Sequence, residues 1–232
     1  RLARAAGFEN VAADLMFGLP GQPADEWRRE LREAAALEPD HVSAYELTME
    51  EGTRFFERRD ALGLPDEDAR ADMFETAEDV LAESGILRYE ISNFARLGRE
   101  CRHNLSGWRS GDCLGVGPSA ASHVGNERWT NVRDLDRYVR AIAEGAPAAG
   151  PPEILDEETW AAEDLYLGLR TVSGIDADAR LARVPDAARA TLRGRVDQAV
   201  ASGLVSREGR TIRLTRRGFL LADTVFEGIL TG

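Results

Sequence analysis

The residues whose types and spacing could do chemistry are few. Asp14 stands in the apolar run Val11-Ala12-Ala13-Asp14-Leu15-Met16-Phe17, just ahead of Gly18-Leu19-Pro20-Gly21-Gln22. A carboxylate buried alone is costly, so an acid inside such a run needs a structural cation, a turn to cap, or a ligand. Its place near the C-terminal end of a parallel strand, where α/β folds bind ligands, favours the ligand. The glycine turn that follows lacks the Lys-Ser/Thr of a phosphate loop and reads as a tight strand-to-helix turn. Further on, Cys101-Arg102-His103-Asn104 groups a soft ligand, an imidazole and an amide. Adjacent residues do not chelate a tetrahedral metal, and no second Cys/His pair stands at zinc spacing. A single axial bond to haem iron from His103 or Cys101 is open chemically. The residues alone favour a loop histidine bonded to backbone. Cys113 reads as a core cysteine, and His41 and His123 as structural or surface residues.

Short strands and helices must position these groups. Val11–Phe17, His41–Leu47 and Ile86–Ile91 are apolar runs of strand length. Between them, Pro23 opens a helix that faces Trp27, Leu31, Ala34 and Ala35 one way. Pro65-Asp66-Glu67-Asp68 opens another, with Met73, Phe74, Ala77, Val80 and Leu81 as its stripe. This βαβαβ order predicts a parallel sheet, either open or closed into a barrel. Three strands do not complete such a sheet, and the chain begins Arg1-Leu2-Ala3-Arg4 without Met. The expectation is a fragment whose first strands lie upstream.

From 93 to 131 the pattern breaks into Gly- and Asn-rich segments. Leu114-Gly115-Val116-Gly117 reads as a buried turn, and Gly125-Asn126 as the tip of a hairpin. A helix is predicted over Leu135–Glu144, then a linker from Gly145 to Pro152. The remainder reads as helices capped from Asp156, a hairpin around Glu208-Gly209-Arg210 and a last helix with Phe219, Val225, Phe226 and Ile229. Helices, a two-stranded wing and a helix make a winged-helix arrangement.

Composition sets outer limits. The 232 residues carry 41 acidic and 29 basic side chains, all of the latter Arg, for a net charge of −12. With 43% hydrophobic and 30% charged residues the chain is of globular composition, and no apolar run is long enough to span a membrane. Two cysteines form neither a disulfide framework nor a four-ligand metal site. The wing region, 187–218, holds eight arginines against Asp197 and Glu208. That patch is suited to phosphates, but the acidity of the rest favours an internal or solvated face.

Taken in order, four motifs resemble one family. They are Asp14-Leu15-Met16-Phe17-Gly18-Leu19-Pro20-Gly21-Gln22; Ser43-Ala44-Tyr45-Glu46-Leu47-Thr48 with Glu51-Gly52-Thr53; Arg88-Tyr89-Glu90-Ile91-Ser92-Asn93-Phe94-Ala95; and Cys101-Arg102-His103-Asn104-Leu105. Their order and spacing are similar to the radical SAM proteins related to oxygen-independent coproporphyrinogen III oxidase, a group that includes haem chaperones. The resemblance covers essentially the whole chain. It implies an α/β fold: the distal part of an incomplete (β/α)6 TIM-like barrel over residues 1–92, a family-specific extension over 93–150, and a winged-helix-like domain over 151–232.

The resemblance also implies cofactors. The family holds a [4Fe-4S] cluster on a Cys-x3-Cys-x2-Cys loop and S-adenosylmethionine on its unique iron. Cys101 and Cys113 have the wrong spacing for that loop, which is therefore expected upstream. Asp14 matches the strand acid near the SAM ribose, and Thr48 and Ala121 match positions that approach SAM through backbone and apolar contact. For haem, the chaperone pattern His-Asn-x-x-Tyr-Trp appears as His103-Asn104-Leu105-Ser106-Gly107-Trp108, with Gly in place of Tyr. The usual Gly-Ala-His after Leu-Gly-x-Gly is here Ser119-Ala120-Ala121. Both departures lean towards the oxidase, whereas the third and fourth motifs lean towards the chaperone. The expectation is a cytoplasmic haem chaperone with His103, and more weakly Cys101, at the haem. Its partners would be haem, an acceptor protein and, at its periphery, respiratory proteins. The alternative is an oxidase that decarboxylates coproporphyrinogen III to protoporphyrinogen IX. A nucleic-acid-binding module built on the wing ranks last.

Overall fold

Alternating apolar residues carry the chain from a short helix, α1 (Leu2–Ala5), into strand β1 (Ala12–Phe17) and, after helix α2 (Ala24–Ala35), into strand β2 (His41–Glu46). The computed structural model describes residues 2–231, which divide into two units, one ending at Cys101 and one beginning at Arg102. In the first unit β1 and β2 pair in parallel, with Asp14 opposite Ser43 and Met16 opposite Tyr45. Pro23 precedes α2, where its missing N–H costs nothing. A short helix α3 (Arg54–Glu57) and a single 3-10 turn lead to α4 (Glu67–Ala82), whose first turn Asp66 caps by accepting from Ala69 N at 2.8 Å.

Helices α2 and α4 cover one face of the sheet. Trp27, Leu31, Met73, Ala77, Val80 and Leu81 pack there against Phe17, Val42, Ala44 and Phe94. Trp27 is wholly buried and donates its indole N–H to Met73 O at 2.9 Å, so its polar atom enters the core satisfied. Each large side chain buried in this layer contributes about 1.5–3 kcal/mol before entropy is counted.

The third strand departs from expectation. Ile86–Ile91 supplies only a two-residue strand, β3 (Leu87–Arg88), which turns back into β4 (Asn93–Ala95). Strand β4 runs antiparallel to both β2 and β3, giving the order β1-β2-β4-β3. The cause is polar. Glu90 is buried, and its carboxylate accepts from Ser92 N at 3.1 Å and from the Asn93 amide, while Arg88 donates to Ile91 O. Turning back supplies these donors; an extended run would leave the acid without them.

The second unit begins with helix α5 (Arg102–Trp108), in a stretch where the sequence suggests only loops. Strands β5 (Ala121–Val124) and β6 (Glu127–Thr130) form the expected hairpin, and α6 (Leu135–Glu144) ends at Gly145, whose φ of 66° is the left-handed cap. The stretch expected as a linker instead runs back along the hairpin. Val132 N donates to Ala148 O at 2.8 Å and Gly150 N to Thr130 O at 3.1 Å, before β7 (Glu153–Ile154) joins β6.

Helix α7 (Glu157–Leu169) follows, then β8 (Ile175–Asp176), α8 (Ala177–Leu181) and α9 (Asp186–Ala201). The wing is β9 (Val205–Glu208) and β10 (Thr211–Leu214), with β8 on the far side of β10. Helices α10 (Arg216–Leu220) and α11 (Ala222–Thr231) close the fold. Leu165, Leu169, Leu192, Val196, Val225 and Ile229 are buried among the helices. Among the described residues no helix is long and apolar enough to cross a membrane.

Candidate functional site

In the first unit the site is the sheet face opposite the helices. Directly paired residues share a face, so Asp14, Met16, His41, Ser43, Tyr45 and Asn93 lie together on the side away from α2 and α4. Asp14 is exposed there, in the middle of β1, not buried near the strand end as its apolar neighbours suggest. The alternation of a half-buried strand explains the difference, since Leu15 and Phe17 face the core while Asp14 and Met16 do not. Thr48 is exposed two residues beyond the end of β2.

His41 anchors this face. It is 7% exposed, and its Nε2 lies 2.9 Å from the Tyr89 hydroxyl. Burial pushes its pKa below the ordinary histidine value, and the Asp14 charge works against that shift. The Tyr89 hydroxyl also accepts from Cys101 N at 3.4 Å, so the half-buried Cys101 is tied to the same cluster. Gly18–Gln22 is closed on itself: Leu19 N donates to Gln22 Oε1 at 3.3 Å, and the Gln22 amide donates to Glu30 at 3.0 Å.

In the second unit a cleft of about 630 Å³ opens between α5, the β5–β6 hairpin and α7. Trp108, Trp129 and Trp160 line it, with Cys113, Ala121 and His123 among their neighbours. Cys113 pairs with His123 across an antiparallel bridge, N to O at 2.7 and 2.8 Å. The thiol is exposed, contrary to the core reading, because this bridge lies on the cleft wall and not under the hairpin. His123 Nε2 and Trp108 Nε1 are buried without a hydrogen-bond partner. His103 lies on the exposed side of α5, not in a backbone-bonded loop, while Gly107 and Trp108 at the end of the same helix reach the cleft.

The loop before β5 is pinned by polar clamps. Gly115 N donates to Ser122 Oγ at 2.9 Å, Gly117 N to Tyr138 OH at 3.1 Å, and the Asn131 amide bridges Gly115 O and Gly117 O. With its backbone held this way, the turn points Leu114 and Val116 outward, 70% and 89% exposed, where a buried turn was expected. Gly115 passes so close to the β5 backbone that an added Cβ would lie 2.4 Å from Ala121 O.

Charge around the cleft is internally matched. Arg128 forks onto Glu153, at 2.8 and 3.0 Å, and reaches Glu163 at 2.5 Å. The Arg128 bond holds the Glu153 carboxyl below its usual range, and Arg128 itself is shifted up. Asp164 takes Ser110 and Arg180. On α9 and the wing, Arg189, Arg193, Arg195, Arg207, Arg210 and Arg213 each pair with a carboxylate of the same unit. The basic patch is therefore largely consumed internally, beyond what a count of arginines conveys.

Asp14, Thr48 and Cys101 thus fall in the first unit and His103 and Ala121 in the second. No single motif announces the cleft, because its tryptophans lie on three separate elements. Among the described residues no three His, Cys, Asp or Glu side chains converge as metal ligands.

Comparison with known proteins agrees with this architecture. The HemN C-terminal domain family model matches residues 155–221. "Heme chaperone HemW" of Mycobacterium tuberculosis is 37% identical over 230 residues, covering 98% of this chain and 57% of that protein. Its namesake in Bacillus subtilis is 33% identical over 231 residues, covering 98% and 61%. Among solved structures, coproporphyrinogen III oxidase (HemN) from Escherichia coli, a radical SAM enzyme, superposes with a TM-score of 0.80 at 24% identity, over 99% of this chain and 56% of that one. The chain spans less than two thirds of the length of these proteins.

Proposed function

The chain is a HemW-like radical SAM sequence, and on that premise we propose that it forms part of a haem chaperone, which binds haem and passes it to an acceptor protein. The observation that carries this reading is the cleft. Its aromatic walls suit a flat apolar ring, and its one lining arginine is already held by two glutamates. Haem carries two propionates, which can remain in solvent. Coproporphyrinogen carries four, and a site for it calls for unpaired cations that the cleft lining does not offer.

Outside the cleft lining, His103 on the exposed side of α5 is proposed as a further haem contact, with Cys101 as a weaker candidate. In the first unit Asp14 and Thr48, and in the second Ala121, are proposed as wall residues for S-adenosylmethionine. The exposed Asp14 carboxylate fits that role, since it accepts from two vicinal hydroxyls at once. Bound there, SAM would supply radical chemistry; this chain's part is to hold its ribose. The two cysteines lie in different units and do not make a cluster ligand set, so no step through a cluster is assigned to this chain. A cytoplasmic location and the division at residues 92 and 150 belong to the same proposal.

The oxidase remains a second reading, favoured by Gly107 and by Ser119-Ala120-Ala121. Two measurements on the full-length protein decide. A haem Soret band that His103→Ala weakens or shifts is expected, and no protoporphyrinogen IX in an anaerobic assay with coproporphyrinogen III and SAM. Turnover to that product would overturn the chaperone reading; an unchanged spectrum would remove His103 from the site.

A further inference from the structure

We propose that His123 is an iron ligand for haem seated in the tryptophan-lined cleft, with Cys113 as an alternative ligand on the same side of the ring. The inference rests on the haem-chaperone reading and adds a site to it. Three observations lead here. The cleft, at about 630 Å³, falls in the range of small-molecule and cofactor sites. Trp108, Trp129 and Trp160 come from α5, β6 and α7, so aromatic surface is presented from three directions. His123 brings an imidazole to this wall; its Nε2 is buried without a partner and would meet the iron after a side-chain rotation, whereas the Nε2 of His41 is engaged by Tyr89.

An unpartnered nitrogen in a wall of this kind is costly to the protein alone, and coordination to iron uses its lone pair. Neutral imidazole donates that pair without losing a proton. Cys113 stands directly across the bridge, and residues facing each other in such a hydrogen-bonded pair have Cα atoms about 5.5 Å apart with side chains on one face. Two ligands so placed do not sandwich a porphyrin, since axial ligands approach iron from opposite faces. They compete for one face. The thiol binds as thiolate, its proton leaving to solvent, and replaces imidazole with no change in the oxidation state of the iron. A cargo held by one exchangeable bond is a cargo that can be handed on.

The cleft charge sets the orientation. Glu153 and Glu163 hold Arg128, and Asp164 is held by Arg180 and Ser110, so three carboxylates face two arginines and the wall keeps a net negative charge. The propionates therefore point out of the mouth, and the apolar edge of the macrocycle points in towards Leu167.

The test uses the full-length protein, titrated with haemin and with metal-free protoporphyrin IX. His123→Ala is expected to shift the haemin Soret band while leaving protoporphyrin IX affinity unchanged, which also shows that the variant is folded. His123→Ala/Cys113→Ser removes both ligands and is expected to weaken haemin roughly tenfold or more, the factor carried by about 1.4 kcal/mol. Trp129→Leu should weaken both probes. A double variant with the wild-type Soret band and haemin affinity overturns the site but leaves the chaperone reading standing. Wild-type protein that binds no haemin overturns both.

Discussion

His41 and Asp14 sit diagonally on adjacent strands, and the coupling between them is open to measurement. Burial lowers the His41 pKa below the ordinary 6.5, and the Asp14 carboxylate opposes that shift. The imidazole should therefore titrate below 6.5 in an NMR pH series. Asp14→Asn removes the opposing charge and should move the midpoint lower still; an unmoved midpoint would refute the coupling. The sign for stability follows. With its folded pKa depressed, His41 lets the unfolded chain bind the proton first as pH falls, so stability declines from about pH 6.5 down to the folded midpoint and then levels off. The exposed Asp14 carboxylate accepts hydroxyl donors, so the same pair suits the proposed SAM ribose contact.

At the scale of elements, the helices with caps and stripes are legible in the sequence alone. Pro23 and Asp66 mark the starts of α2 and α4, and their stripes name the side chains that are buried. Helix α5 was not legible, because Asn104, Ser106 and Gly107 are weak helix formers. Packing of the helix against α7, with Ser110 bonded to Asp164, overrides that propensity. The β3–β4 hairpin was hidden for another reason: Glu90 and Asn93 carry it through side-chain bonds that no apolar pattern encodes. The loop before β5 shows how one element shapes the cleft. Gly115→Ala would drive a Cβ to 2.4 Å from Ala121 O, and the backbone must shift. A loss of about 1–3 kcal/mol in urea unfolding is expected, the usual cost of overpacking. The same change should weaken protoporphyrin IX binding, since Ala121 lines the cleft. Wild-type stability would mean that the clamps of Ser122 and Asn131 yield more easily than their bonds imply.

For the molecule as a whole, the distribution of charge decides which class of partner it meets. The net charge is −12, and the wing region holds eight of the arginines. A surface that binds phosphates must release counterions, which requires arginines that are not already neutralised. Here six arginines of α9 and the wing are matched by Asp186, Asp178, Glu158, Asp197, Asp176 and Glu208. Exposed pairs of this kind are each worth little to stability, but together they leave the wing with almost no field to offer. Breaking one to reach a phosphate would strand a carboxylate beside a second negative charge. Full-length protein is therefore expected to show no binding to a double-stranded oligonucleotide tighter than about 10⁻⁴ M at physiological salt, the weak edge of non-specific affinity. Fluorescence anisotropy over a salt series checks this. Tight binding with a steep salt slope would mean that the pairs open on contact, and the wing would then be a nucleic-acid surface after all. Removing the matching acids supplies the converse: Asp197→Asn with Asp178→Asn frees Arg207 and Arg193, and salt-dependent affinity should appear where the wild type has none.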